Sequence, residues 1–343
     1  MKDVLIIGGG IAGTTLSFQL HRAGWTIHLV DEPKEFTASK VASGLYNPLV
    51  LKRRRVVWKA PEMLDTLPSF YRQMEAECNG DFFDDKPVWE VLHDPGVEND
   101  WVALSDLPKF EPLIGAVLSN PNPNVIAHKI GEVAGSGRVD VPKMIQEWSK
   151  HLKSISSFSE GWVEPQELTY SDDSWEWKGQ RFKRVIWTKG FDHHHPHFPD
   201  LPFSPTKGEV LIVKSPELNL DHILHGGVFI MPLGEDLYKV GATYSWDPLD
   251  VIPTSEGKEH LLAEWKKLVN AECEVVEHVA GIRPNVKDRK PLLGKSTEVP
   301  ESYIFNGLGS RGILMAPWLS EMMLNFVQGD LQLLPEVDIN RFS

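Results

Sequence analysis

Three observations predict an α/β fold in which two domains are interleaved along the chain. The first 31 residues read as strand, glycine loop, helix and strand. The middle carries closely spaced strands joined by tight turns, and the last strand and helix look like further members of the opening sheet. A parallel sheet, interrupted twice by mixed or antiparallel material forming a second layer, satisfies all three.

The opening unit is the most explicit. Residues 4–7 are an apolar strand that runs into Gly8-Gly9-Gly10-Ile11-Ala12-Gly13. Leu16, Leu20 and Ala23 then recur at helical spacing, Gly24 closes the helix, and residues 26–30 form a second strand ending on Asp31 and Glu32. This is GxGxxG inside a βαβ unit of about thirty residues, the Rossmann-like fingerprint for an adenine dinucleotide. Gly8 permits the tight turn, Gly10 lets backbone approach a pyrophosphate, and Gly13 lets helix and strand pack closely. The helix start at Ile11 and Ala12 offers unpaired N–H groups to phosphate. Asp31 is placed to accept from a ribose hydroxyl, and its charge repels a 2′-phosphate.

Further along, residues 37–50 are rich in small side chains, and Met63, Leu64, Leu67, Phe70, Tyr71 and Met74 predict a helix over 61–77. Short apolar bursts broken by Pro and Gly make 81–130 an irregular or β-rich insertion. An amphipathic helix is expected over 140–152, opened by the turn at 135–137. Strands follow at 162–169, 174–177 and 180–188, the last two joined by Lys178-Gly179 as a meander. Further strands are expected at 209–213, 227–232, 237–243, 274–282 and 302–306, with helices at 255–270 and 313–327.

Composition narrows the class. The 343 residues include 12 tryptophans and carry a formal charge of −13, which argues against nucleic acid as the main partner. Lys52-Arg53-Arg54-Arg55, with Lys59 nearby, reads as a solvated face or as a patch that steers an anionic substrate. Cys78 and Cys273 form no motif, which implies neither a disulfide framework nor a zinc site and suits the cytoplasm. The apolar stretch 4–20 is a βαβ start and not a signal peptide or membrane span. Adjacent histidines at 193–195 with His197 read as a surface or lid loop in preference to a metal site, so no metal is expected.

The chain resembles the FAD-dependent D-amino-acid oxidase family nearly end to end. The resemblance rests on the glycine loop, Ala42-Ser43-Gly44-Leu45, Gly137-Arg138-Val139-Asp140-Val141-Pro142, Lys207-Gly208-Glu209-Val210, Val240-Gly241-Ala242-Thr243, Gly281-Ile282-Arg283-Pro284 and Gly307-Leu308-Gly309-Ser310-Arg311-Gly312. It implies an FAD-binding domain at 1–80, 131–200 and 280–343, and a substrate domain at 81–130 and 201–279. It also implies oxidation of the C–N bond of an amino acid or N-substituted glycine by hydride transfer to flavin N5. Cofactor contacts fall on Gly8, Gly10, Ile11, Ala12, Gly13, Asp31, Glu32, Ser43, Gly44, Gly190, Gly307, Gly309, Ser310, Arg311, Gly312 and Ile313. Independently of the family, the three glycines of 306–312 between a strand and a helix let N–H groups face the reduced flavin's negative N1–C2=O edge.

In the family, the arginine of G-x-R-P pairs with the substrate carboxylate, and Arg283 occupies that position. A planar fork suits a carboxylate; the other reading of Arg283 is a structural ion-pair partner. Arg311 serves either cofactor or substrate, and Tyr244 and Tyr46 are pocket candidates. One departure is Trp187-Thr188-Lys189-Gly190-Phe191, where the family has a small-residue strand ending in Ala-Gly and then tryptophan. No cysteine stands where some relatives tether flavin, so FAD is expected to be non-covalent. No side-chain base is required, and no His or Glu pair stands out in sequence. Two alternatives stay open. The chain is also similar to the oxidase domain of the bifunctional enzyme that trims carboxymethylaminomethyl-uridine in tRNA, favoured only by the basic run at 52–59. The other is a non-catalytic flavoprotein.

Overall fold

The computed structural model describes residues 1–191, 197–198 and 201–342. Among them are seven α-helices: α1 (Ile11–Arg22), α2 (Ala38–Val41), α3 (Ala60–Cys78), α4 (Pro95–Ser105), α5 (Val141–Ser154), α6 (Ser255–Leu268) and α7 (Gly312–Gln328). None of the described helices is long and apolar enough to cross a membrane.

Five parallel strands form the centre of the first sheet, in the order Phe158–Glu160, Ile27–Asp31, Lys2–Ile7, Gln180–Trp187, Ser302–Asn306. The early half of Gln180–Trp187 pairs antiparallel with Ser174–Trp177, which continues to Thr169–Ser171; Leu292–Lys295 flanks Ser302–Asn306. Both sheet faces are covered, so the strands are apolar on both sides. Val4 and Ile6 join the helical layer of α1, α3, α5 and α7, whereas Leu5 and Ile7 join Trp175, Trp177 and Trp187 beneath. Val4, Leu5 and Ile6 have no exposed surface, a gain of about 1.5–3 kcal/mol for each fully buried side chain.

The helices start and stop where their sequences dictate. Asp140 caps α5 by accepting from the Lys143 N–H at 3.1 Å, Pro142 opens its first turn, and Val141, Met144, Ile145, Trp148 and Leu152 form its buried stripe. Gly329, at φ +89°, ends α7. Lys178 (φ +48°) and Gly179 (φ +73°) make the tight hairpin turn between Ser174–Trp177 and Gln180–Trp187.

The second sheet has eight strands, in the order Glu274–Arg283, Thr206–Lys214, Leu237–Gly241, Phe229–Gly234, Leu224–His225, Val88–Leu92, Lys129–Val133, Ile114–Ser119. All neighbours are antiparallel except Leu224–His225 with Val88–Leu92. One face packs on α6 through Leu211, Ile230, Val240, Leu261 and Trp265. The other presents Val210, Phe229 and Met231 towards Val41 and Leu49. The fold is therefore the mixed α/β class expected.

Two local expectations change. Residues 162–168 are not a strand; Pro165–Glu167 is a 3-10 turn and only Thr169–Ser171 is extended, because Pro165 cannot donate to a ladder. Phe158–Glu160, just upstream, supplies the sheet's edge instead. The segment 81–130 contains a true helix, α4, opened by Asp94, whose carboxylate accepts from Gly96 and Val97, and by Pro95. The histidines at 193–195 lie outside the described residues.

Candidate active site

A single continuous cavity of about 1130 Å³ runs from the glycine loop to the inner face of the second sheet. That exceeds the several hundred cubic ångströms of a drug-sized pocket and suits a dinucleotide with room for a second molecule. At one end, Gly8 sits at φ +109°, and a Cβ there would lie 2.7 Å from the Thr188 carbonyl. Thr188 braces the loop further, its hydroxyl 2.6 Å from the Gly8 carbonyl and 2.9 Å from that of Ile7. Gly9 donates to Asp31 Oδ1 at 2.7 Å, and a Cβ on Gly9 would meet the Asp31 carboxylate. Burial raises the Asp31 pKa, and the Gly9 N–H opposes that rise. Ser39, in α2, accepts from the Ile11 N–H at 3.0 Å and so satisfies the start of α1. Neither Thr188 nor Ser39 stands out in sequence, since each acts on a loop far from it along the chain.

At the far end stand two arginines. Arg283, the last residue of its strand, donates to the carbonyls of Lys207 and Thr243, both at 3.2 Å. Its guanidinium lies over the Tyr244 ring, 5.2 Å from the centroid. Arg311 donates to the Asn47 carbonyl at 2.9 Å. Burial lowers the pKa of both, and Tyr244 offsets part of the effect at Arg283. Among the described residues neither makes a salt bridge with a carboxylate, so the structural ion-pair reading of Arg283 finds no partner. Two half-buried cations on a cavity wall, with carbonyls and the Tyr244 ring but no described carboxylate as partners, suit an anion.

The wall also carries His225 and Glu90, with Nδ1 and Oε2 2.6 Å apart. These residues are 135 positions apart and meet because their strands pair side by side. No sequence signal links them.

A family model described as FAD dependent oxidoreductase (DAO) matches residues 3–325. The chain belongs to this family of FAD-dependent oxidoreductases. It is 26% identical over 377 residues to a tRNA 5-methylaminomethyl-2-thiouridine biosynthesis bifunctional protein MnmC from Idiomarina loihiensis, covering 100% of this chain but 58% of that protein. A glycine oxidase from Bacillus licheniformis is 24% identical over 371 residues, covering 96% of this chain and 93% of the relative. Among solved structures, glycine oxidase from Bacillus cereus superposes with a TM-score of 0.79 at 20% identity, covering 97% and 96% of the two chains. Iminodiacetate oxidase from Chelativorans sp. does so with a TM-score of 0.79 at 18% identity, covering 99% and 98%.

The residues present fit FAD. Side-chain-free backbone at Gly8 to Gly10, the start of α1 and Asp31 form one end of the cavity; Gly309 to Ile313, at the start of α7, form the middle. Of the sequence candidates, Gly8, Gly10, Ile11, Ala12, Asp31, Glu32, Ser43, Gly44, Gly190, Gly309, Ser310, Arg311, Gly312, Ile313, Tyr46 and Arg283 all line it. Three do not. A Cβ on Gly13 would lie 1.8 Å from the Gly8 carbonyl, so this glycine serves helix–strand contact. Gly307 (φ +74°) packs against Val286 and Leu292. Tyr244 is 44% exposed, touches Arg283 and accepts from Asn285 at 3.0 Å, standing behind the arginine. Of the basic run, Lys52 lines the cavity while Arg54 pairs with Asp100.

Proposed function

We propose that the protein oxidises the C–N bond of a small amine bearing a carboxylate, an amino acid or N-substituted glycine, by hydride transfer to flavin N5. The observation that carries this reading is Arg283, a half-buried cation on the cavity wall held by two carbonyls and no described carboxylate. Bound FAD would supply the hydride acceptor, and the chain supplies binding, orientation and electrostatics. Arg283 takes the substrate carboxylate with its planar fork, and Arg311 adds positive charge to the same cavity. With Nδ1 of His225 donating to Glu90, Nε2 is left as the basic nitrogen that accepts a proton from the substrate ammonium. Val210 and Phe229 make that end apolar and exclude water. Neither Cys78 nor Cys273 lines the cavity, which supports non-covalent FAD.

The test is anaerobic mixing of the FAD-loaded protein with glycine, N-methylglycine, iminodiacetate and D-amino acids. Loss of the oxidised flavin absorbance with one of them supports the reading, and none of them bleaching the flavin counts against it.

A second reading, oxidation of a carboxymethylamino group on a tRNA uridine, draws on the MnmC similarity across the chain. It is also favoured by the exposed Trp246 ring, 5.1 Å from Tyr244 beside Arg283, where a flat base could stack. The −13 charge weighs against it. Bleaching by modified tRNA but by no free amino acid would favour this reading over the first.

A further inference from the structure

We propose that His21, Glu77 and His151 form a binding site for a divalent transition-metal ion of the zinc class. The three residues lie outside the lining of the cavity and serve no step of the function proposed above. They come from the last turns of α1, α3 and α5, which converge so that one ligand atom from each lies within 4.8 Å of the others. Both imidazoles turn Nε2 towards the same carboxylate oxygen, His21 at 3.7 Å and His151 at 3.8 Å from Glu77 Oε1.

Those separations are too long for hydrogen bonds. Donors bound to tetrahedral zinc stand about 3.3 Å apart, so the two His–Glu77 separations must shorten by about half an ångström and the His21–His151 separation, within 4.8 Å, by up to about 1.5 Å. Glu77 is 44% exposed and His21 29% exposed, and these two side chains can make the movement. The imidazole of His151 is already fixed. It stacks on Trp148 with centroids 4.9 Å apart and planes at 11°, and Trp148 is itself tied by its indole N–H to Ser17 Oγ at 2.7 Å. The edge of His21 rests on the same indole.

Two further observations point to a cation. His151 Nε2 is buried and has no hydrogen-bond partner among the described residues, an arrangement that native proteins rarely leave unexplained. The cluster also lies where three helix C-termini meet, so three negative dipole ends face it. Two imidazoles and one carboxylate suit zinc, with water completing the shell. An ion there joins α1, α3 and α5 and so staples the helical layer over the first sheet.

The test is calorimetric titration of the full-length FAD-loaded protein with zinc chloride, together with thermal unfolding. Because His193, His194 and His195 could also take zinc, their triple alanine variant is the control. One ion should bind and raise Tm in that control, and the variants that follow are made in it. His151→Gln and Glu77→Gln should each weaken binding by more than about tenfold; Glu77 is exposed enough that its variant should fold even if His151→Gln does not. No zinc binding in the control, or unchanged affinity in both Gln variants, would overturn the site.

Discussion

Gly208 and Arg283 fit each other so closely that a Cβ on Gly208 would lie 2.0 Å from Arg283 Nη2 and 2.3 Å from its Cζ. Strands Thr206–Lys214 and Glu274–Arg283 pair with Gly208 opposite Gly281 and Thr206 opposite Arg283, which turns the guanidinium across position 208. The missing side chain is therefore what lets a long cation lie flat on the cavity wall.

Gly208→Ala should displace the guanidinium while leaving the glycine loop untouched. The expected result is a KM for the carboxylated amine raised about tenfold or more, from loss of at least one charge-assisted hydrogen bond. FAD affinity should stay at the wild-type value. Steady-state kinetics beside a flavin-binding titration would check both; an unchanged KM would contradict the fit.

His225 and Glu90 act as a pair in the proposed proton transfer. His225→Asn should lower kcat by about 10²-fold or more, the usual contribution of a positioned base, with a smaller change in KM. Glu90→Gln should lower kcat less, since the imidazole remains but loses its orienting carboxylate. Equal effects on KM and none on kcat would make the pair a wall element only.

Two glycines of the same loop should behave differently. Gly13→Ala drives a Cβ to 1.8 Å from the Gly8 carbonyl, so it should lower the Tm of FAD-free protein by several degrees. A Cβ on Gly10 meets only Ser39, with its hydroxyl at 3.0 Å. Gly10→Ala should therefore keep that Tm close to wild type and weaken FAD binding instead. Differential scanning calorimetry with and without FAD separates the two.

Acid should destabilise the protein before its carboxylates titrate. Burial, with the Lys2 charge adding to it, holds His28 down from 6.5 to about 4. Its Nδ1 accepts from Lys2 Nζ at 3.1 Å, which leaves Nε2 to donate to Ser159 Oγ at 2.9 Å. Burial likewise lowers His197 to about 4. Because the unfolded chain binds protons that the folded chain refuses, this stability is present above pH 6.5 and is lost as pH falls towards 4. Tm measured from pH 7 to 5 should drop, and His28→Gln should flatten the curve; an equal slope in the variant would exclude His28 as a source.

Much of this was legible because it is local. The glycine loop, the hairpin at Lys178-Gly179 and the stripe of α5 are each specified by residues within one turn or one helix. The helix α4 was also written locally, in Asp94-Pro95, but hidden by the surrounding Pro and Gly. Phe158–Glu160 was not legible, since three residues become a strand only through pairing with Ile27–Asp31. In the site, Gly8 and Arg283 announce themselves by motif and resemblance. Ser39, Thr188 and the His225–Glu90 pair do not, because each depends on a contact between segments that only the fold brings together.

The most direct test of the central claim compares kcat/KM for N-methylglycine with that for dimethylamine, which lacks the carboxylate, in wild type and in Arg283→Ala. The account predicts a strong wild-type preference for the acid. Arg283→Ala should cut that preference by about 10- to 100-fold for each charge-assisted bond lost, with dimethylamine turnover little changed. Equal losses on both amines would contradict the assignment of Arg283 to the substrate carboxylate.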